Sequence, residues 1–249
     1  KCVLLIGLAA NMLLEFRVQN FRSMRDEQVF SCAASTDKTH ADTHLAPTGL
    51  RYLPNAVRSA IVFGPNASGK STLLSALNYM RAVVAESATV IQPGQTYNVQ
   101  AFRLDDRHTN EPTHFELSFM LNGIRHEYAF AMTPQRIVSE SLRVYRTAKP
   151  TQWFSRRLAS DGDSSEYEFS AFLTGSRKLW QDSTRPNALF LSTAAQLNSE
   201  LLSPVFQWIT ERIVFVPAEA LIDNSLTTAM LATDAGLSTI RDFIAAADI

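Results

Sequence analysis

Leu14, Phe16 and Val18 alternate with Glu15, Arg17 and Gln19, the two-residue period of a strand with one buried face. Asn20-Phe21-Arg22-Ser23-Met24-Arg25 then predicts a turn into a second strand over 28–33, so an antiparallel edge comes first. Residues 35–54 are polar without regular spacing and read as a surface loop. The short apolar run Ser59-Ala60-Ile61-Val62-Phe63 has the character of a buried strand. Behind it Leu73, Leu77, Met80 and Val84 recur at helical spacing, with Leu74 and Ala76 on the flank, which predicts an amphipathic helix of about four turns. The clearest strand signal follows: Phe115, Leu117, Phe119 and Leu121 alternate up to Asn122-Gly123, and Ile124, His126, Tyr128, Phe130 and Met132 alternate back. Asn-Gly between two such runs predicts a two-residue hairpin. Further strands are expected over 137–145, 153–157 and 166–170, around a polar 160–165 segment. Leu201, Val205, Trp208 and Ile209 mark a helix leading into Ile213-Val214-Phe215-Val216, whose unbroken apolar character predicts a buried parallel strand. Leu237, Ile240, Phe243 and Ile244 mark a last helix.

Chemistry is concentrated between the 59–63 strand and the helix behind it. Gly64-Pro65-Asn66-Ala67-Ser68-Gly69-Lys70-Ser71-Thr72 matches the phosphate-binding pattern G-x-x-x-x-G-K-[ST] in full, in the strand-to-helix context that pattern requires. The first N–H groups of a helix lack internal partners and the peptide dipoles add partial positive charge there, so polyphosphate is the natural occupant. Gly64 and Gly69 let the main chain, with Asn66, Ala67 and Ser68, wrap the phosphates. Lys70 reaches the β- and γ-phosphates as a point charge and is the candidate catalytic residue. The Ser71 hydroxyl is placed to ligate magnesium, and Thr72 starts the helix proper. A glycine-rich turn that binds nothing would not need Lys and Ser together at these positions.

The 249 residues, 46% of them hydrophobic, can bury a sizeable core. A net charge of −1 gives no global footprint for nucleic acid, and the basic lean of Arg136, Arg143, Arg146, Lys149, Arg156, Arg157, Arg177 and Lys178 is interspersed with acids, as on a solvated face. Cys2 and Cys32 have neither metal nor redox spacing, which suits a reducing cytoplasm and inert thiols. His40 and His44 stand four apart without a helical pattern or third ligand and read as solvated loop residues. His126, on an apolar face, reads as a hydrogen-bonded core histidine. The apolar stretch after Lys1 is too short to span a bilayer, and Met12 at the head of a clean strand pattern marks residues 1–11 as an upstream or non-native extension.

Hydrolysis needs an acidic residue for magnesium at the end of a second strand. The 213–216 run leads into Pro217-Ala218-Glu219, with proline at that place, and Ala220-Leu221-Ile222-Asp223 is short and weak. No S-G-G-type signature and no histidine after a late apolar strand is present either, so those parts are expected beyond Ile249.

Leu13-Leu14-Glu15-Phe16-Arg17-Val18-Gln19-Asn20-Phe21-Arg22-Ser23 resembles the opening strand of the ABC-type ATPases of the SMC, RecF and OLD group, and Phe63 to Thr72 resembles their Walker A loop. The resemblance is closest to the AAA-domain ATPases of bacterial abortive infection and the RloA-like proteins, in their N-terminal part. Asn66 falls at the asparagine position, whereas Ala67 stands where SMC proteins carry glycine. Weaker likeness lies in Ala101-Phe102-Arg103-Leu104-Asp105, Ser139-Glu140-Ser141-Leu142 and Asn187-Ala188-Leu189-Phe190-Leu191-Ser192. The resemblance implies an α/β P-loop NTPase, an ABC-type head with an antiparallel β lobe inserted after the Walker A helix. Residues 12–100 would hold the first strands, loop and helix, 101–185 the lobe, and 186–249 the start of a second, helical lobe. It places Arg22 against the base and ribose, and Gln100 or Glu140 as a polar loop residue between lobes. It further implies ATP and Mg2+ as cofactors and hydrolysis in a head-to-head homodimer or higher oligomer. An effector partner, an RloB-like protein or a nuclease, would act with it in cytoplasmic anti-phage defence, with nucleic acid left open and no membrane. A RecF- or OLD-like repair or nuclease-associated ATPase shares the same engine. A P-loop small-molecule kinase is disfavoured, because its helix would return to a parallel strand within a few dozen residues. The absence of three successive a/d heptads argues against a long SMC-type coil.

Overall fold

The computed structural model describes residues 2–5, 7–8, 10–37, 39–215, 228, 231–234, 236–238 and 240–241. β1 (Cys2–Leu5) and β2 (Gly7–Leu8) precede β3 (Asn11–Gln19), the predicted opening strand, and β4 (Gln28–Ser31) follows the Asn20–Arg25 turn. The second strand is thus shorter than 28–33, and Ala33 instead bridges to Ala56.

The polar 35–54 stretch is not a loop throughout. It holds a single turn, α1 (Ala41–His44), and a hairpin of β5 (Leu45–Leu50) and β6 (Leu53–Val57). The Thr48 hydroxyl, buried, donates to the Leu53 carbonyl and accepts from the Leu50 N–H. These bonds replace the apolar alternation by which such a strand pair is usually recognised.

β7 (Ser59–Val62) leads into the glycine loop, and α2 (Lys70–Glu86) leaves it. β7 pairs antiparallel with β1, Cys2 facing Val62 and Leu5 facing Ser59, so the stretch read as an extension is hydrogen-bonded to the strand before the loop. α2 buries Ala76, Leu77, Met80, Val83 and Val84, close to the stripe expected from its spacing.

After the single turn α3 (Asp106–Thr109), five strands run in meander order: β8 (Thr113–Leu121), β9 (Ile124–Met132), β10 (Ile137–Tyr145), β11 (Thr151–Leu158) and β12 (Ser165–Phe169). Asn122 and Gly123 connect β8 to β9 with φ of 51° and 76°, the double left-handed geometry that makes Asn-Gly a hairpin signal. The strands form one antiparallel sheet in the order β12-β11-β10-β9-β8-β3, with β2 and β4 on the far edge of β3. β3 pairs with β8 from Met12 opposite Met120 to Gln19 opposite His114. The strands after α2 therefore extend the sheet begun by the opening strand, in a mixed α/β fold whose strand pairs are all antiparallel among the described residues.

α4 (Arg177–Ser183), α5 (Phe190–Gln196), α6 (Ser203–Gln207) and a π-helical turn (Trp208–Arg212) complete this unit, which ends at Val214. The parallel strand expected at 213–216 is not formed over its described residues: Ile213, Val214 and Phe215 lie outside any strand, and Val214 is 72% and Phe215 43% exposed. An apolar run states a demand for burial, but a strand also needs a neighbour to satisfy its main chain, and the π-helical turn delivers this run without one. Val216 lies outside the described residues. In the second unit, from Phe215, the Leu237 N–H donates to the Thr233 carbonyl at 2.9 Å and Ile240 is also helical; Phe243 and Ile244 of the expected last helix lie outside the described residues.

Packing fixes where α2 can point. Phe21, Tyr79 and Phe115 meet with ring centroids 5.7 to 6.1 Å apart, joining α2 to the ends of β3 and β8. At its other end, the Ser192 hydroxyl donates to the Val84 carbonyl at 2.6 Å, and Arg185 donates to the Ser87 and Ile91 carbonyls at 3.1 and 2.7 Å. The bonds to Val84 and Ser87 satisfy carbonyls that a helix leaves open at its C-terminus, and the bond to Ile91 ties down the turn beyond it.

Candidate nucleotide-binding site

α2 begins at Lys70 with Gly69 as its N-cap, at φ 88°, a left-handed value that favours glycine. Gly64 is held by proximity: a Cβ there would lie 2.7 Å from the Ser68 Oγ. Ala67 has φ 65°, left-handed like Gly69, and alanine holds that conformation at a cost.

The Lys70 ammonium donates to the carbonyls of Gly64 and Pro65, at 2.8 and 2.6 Å, and to the Ser68 Oγ at 3.3 Å. The lysine thereby closes the loop over the start of α2. The N–H groups of Gly69, Lys70, Ser71 and Thr72 have no acceptor among the described residues. Four unpaired donors at a helix N-terminus beneath one ammonium form an anion cradle. This donor set fits a polyphosphate, with Lys70 exchanging a loop carbonyl for a phosphate oxygen. Ser71 is exposed at the same end, where its hydroxyl would hold a magnesium ion that balances phosphate charge.

Of the other candidates, Arg22 is exposed at the β3–β4 turn, with its guanidinium 5.2 Å from the Phe21 ring. Its N–H donates to the Gln100 carbonyl at 2.7 Å, so Arg22 and Gln100 are neighbours. The turn reaches the loop through Ser23, whose Oγ lies 3.4 Å from the Thr72 Oγ1.

Glu140 is not on a loop. It stands in β10, 1% exposed, and its carboxylate accepts from the Phe190 and Leu191 N–H groups at 2.6 and 2.9 Å and from the Tyr128 hydroxyl at 2.9 Å. It caps α5 from across the sheet, with the buried Arg156 guanidinium 4.0 Å away. Burial pushes its acidity down, against the opposing charge of Arg156 and the N–H donors. With its oxygens taken by these partners, it serves the core. Spacing alone cannot separate an interlobe residue from a buried cap.

A cleft of about 440 Å³ opens beside the loop, lined by Ser23, Met24, Arg25, Asp26, Gln28 and Phe102 on one side and Ala67, Ser68 and Gly69 on the other. Periodicity does not reveal Phe102 as a neighbour of the loop, since it lies thirty residues downstream of Thr72 in a segment without regular structure. What brings it there is Asn20. Its side chain, buried at φ 55°, accepts from the Phe102 N–H at 2.9 Å and donates to the His108 and Glu111 carbonyls, both at 2.9 Å. Asp26 is held below the usual carboxylate range by its hydrogen bond to Arg25.

The family model described as "AAA domain, putative AbiEii toxin, Type IV TA system" matches residues 59–208, more than half of the chain and all of the loop and α2. The chain belongs to this family. It is an AAA-domain protein of the abortive-infection group, and the domain makes it an ATP-binding P-loop NTPase. No curated protein matches it. None of the helices among the described residues is long and apolar enough to cross a membrane.

Proposed function

We propose that this chain is the ATP-holding part of an ABC-type ATPase head that hydrolyses ATP in a head-to-head dimer and, in anti-phage defence, controls an effector protein such as a nuclease. The observation that carries the reading is the anion cradle: four unpaired N–H groups, the lysine and the exposed serine gathered at the start of a long, well-anchored helix. ATP brings its own magnesium, which neutralises phosphate charge. Lys70 binds the β- and γ-phosphates and stabilises charge that develops on the transferring phosphoryl group. Ser71 would hold the magnesium through its hydroxyl. The loop and α2 supply binding and orientation, while a second head completes the site by closing over the nucleotide.

Static light scattering of the protein during ATP titration tests this. Dimer mass should appear with ATP and vanish in Lys70→Ala; equal assembly by both proteins would sink the reading.

A further inference from the structure

Between α2 and α3 the chain runs from Gln95 to Arg103 without turn or bend and outside every sheet. Its main-chain hydrogen bonds alternate as a strand's do. The Gln100 carbonyl accepts from the Arg22 N–H at 2.7 Å and the Phe102 N–H donates to the Asn20 Oδ1 at 2.9 Å, so these two residues face the β3–β4 turn. On the opposite edge the Tyr97 N–H donates to the Pro134 carbonyl at 2.7 Å. Main-chain groups alternate in direction along an extended segment, which turns Val99 and Ala101 to the same side as Tyr97. Neither residue's N–H or carbonyl has a hydrogen-bond partner among the described residues.

A cavity of about 250 Å³ opens there. Its floor includes Thr113 and Met132, which face each other across the β8–β9 pairing and are both buried. Val99 lines the cavity while only 8% exposed, and buried main-chain groups require partners. The volume falls below the ~300–1,000 Å³ of whole small-molecule sites, and no aromatic side chain lines the walls. Such a space suits part of a longer chain better than a complete cofactor. Two charged side chains line it, Arg103 and Glu111. Glu111 has the His108 Nε2 at 3.8 Å, whereas Arg103 is exposed and has neither ion pair nor hydrogen bond among the described residues. The charge left without a partner is therefore positive.

We propose that Val99–Arg103 is a docking edge for a short extended segment of a partner protein, which adds as a strand on Val99 and Ala101 and sets an acidic side chain against Arg103. The main chain supplies affinity and Arg103 supplies the preference for acid. The edge faces away from the β3–β4 turn and does not depend on the reading of the phosphate cradle.

Because main-chain pairing tolerates many sequences, the probe is a capped peptide, acetyl-Thr-Val-Glu-Val-Thr-amide, titrated at millimolar concentration into the isotopically labelled full chain and followed by NMR. The amide resonances of Val99 and Ala101 should shift. Ala101→Pro removes one N–H that faces the cavity and suits an extended backbone, so it should abolish the shift at Val99 while the rest of the spectrum stays in place. Arg103→Gln should weaken the peptide up to about fivefold and leave binding of its glutamine counterpart unchanged. Arg107→Gln, outside the cavity, should alter neither. Val99 and Ala101 amides that stay still, or peptide binding that survives Ala101→Pro, would overturn the docking edge. So would N-acetylglutamate amide that shifts these resonances as strongly as the peptide, since a small carboxylate would then suffice.

Discussion

The Lys70 Nζ lies 2.8 Å from the carbonyl oxygen of Gly64, so the loop's lysine is bonded to the loop's own first glycine. A Cβ at Gly64 would meet the Ser68 Oγ at 2.7 Å, so a side chain there obliges that hydroxyl to move. Gly64→Ala should displace Ser68 and the lysine that shares it, lowering MgATP affinity about tenfold while thermal unfolding moves little, since the loop is exposed and outside the core. Calorimetric titration paired with a melting curve checks both halves.

Ala67 is the one non-glycine residue at positive φ inside the loop. Relief of the left-handed strain, less the added freedom of glycine in the unfolded chain, should make Ala67→Gly more stable by roughly 0.5–1 kcal/mol. Urea denaturation that finds the variant less stable than the parent would contradict the assigned conformation.

Glu140 caps α5 and faces Arg156 in the core. Glu140→Gln turns amide hydrogens toward N–H donors and leaves the guanidinium without its counter-charge, which should cost about 3–5 kcal/mol. Tyr128→Phe removes one hydrogen bond to the same carboxylate and should cost about 1–2 kcal/mol. Equilibrium denaturation of both variants gives the ranking, and a mild Glu140→Gln would speak against the buried cap.

His126 is stacked on Phe119 and bonded through Nδ1 to the Ile124 carbonyl at 2.9 Å. Burial lowers its pKa from 6.5 to about 4. The unfolded chain therefore takes up a proton that the folded chain refuses. Stability from this site is fully present above pH 6.5 and is lost progressively as pH falls toward 4, by roughly 2 kcal/mol at pH 5. His126→Asn keeps a donor for the carbonyl and removes the titration, so its stability should change less between pH 7 and pH 5. Parallel slopes for the two proteins would refute the assignment.

Cys32 is buried, and desolvation lifts its thiol to about 12. Peptide mapping after iodoacetamide treatment should find Cys32 unmodified in native protein and alkylated in urea. Labelling of Cys32 at equal rates in both conditions would show an open site.

The parts legible in the sequence are those specified by local chemistry. Asn122-Gly123 announces its hairpin because few other pairs accept two left-handed residues in succession, and the glycines and lysine of the loop declare the cradle through spacing alone. The apolar stripe of α2 is likewise read directly. What escapes is pairing between distant segments. Nothing local states that β1 borders the strand before the loop, or that β8 joins β3 across more than ninety residues. Glu140 and Phe102 show the two sides of this limit. The resemblance implies a loop site for Glu140, and the structure has it as a buried cap, because a carboxylate's burial depends on partners fifty residues away. The other lines the cleft through a hydrogen bond to Asn20 that no periodicity encodes.

ATP binding by this chain depends on the Gly64–Thr72 loop holding the phosphates. Calorimetric titration of wild-type protein and Lys70→Ala with MgATP, under matched conditions, tests it most directly. The lysine's charge-assisted contacts should make the variant about tenfold to a hundredfold weaker, with its melting temperature preserved. Equal affinity in the two proteins would contradict it.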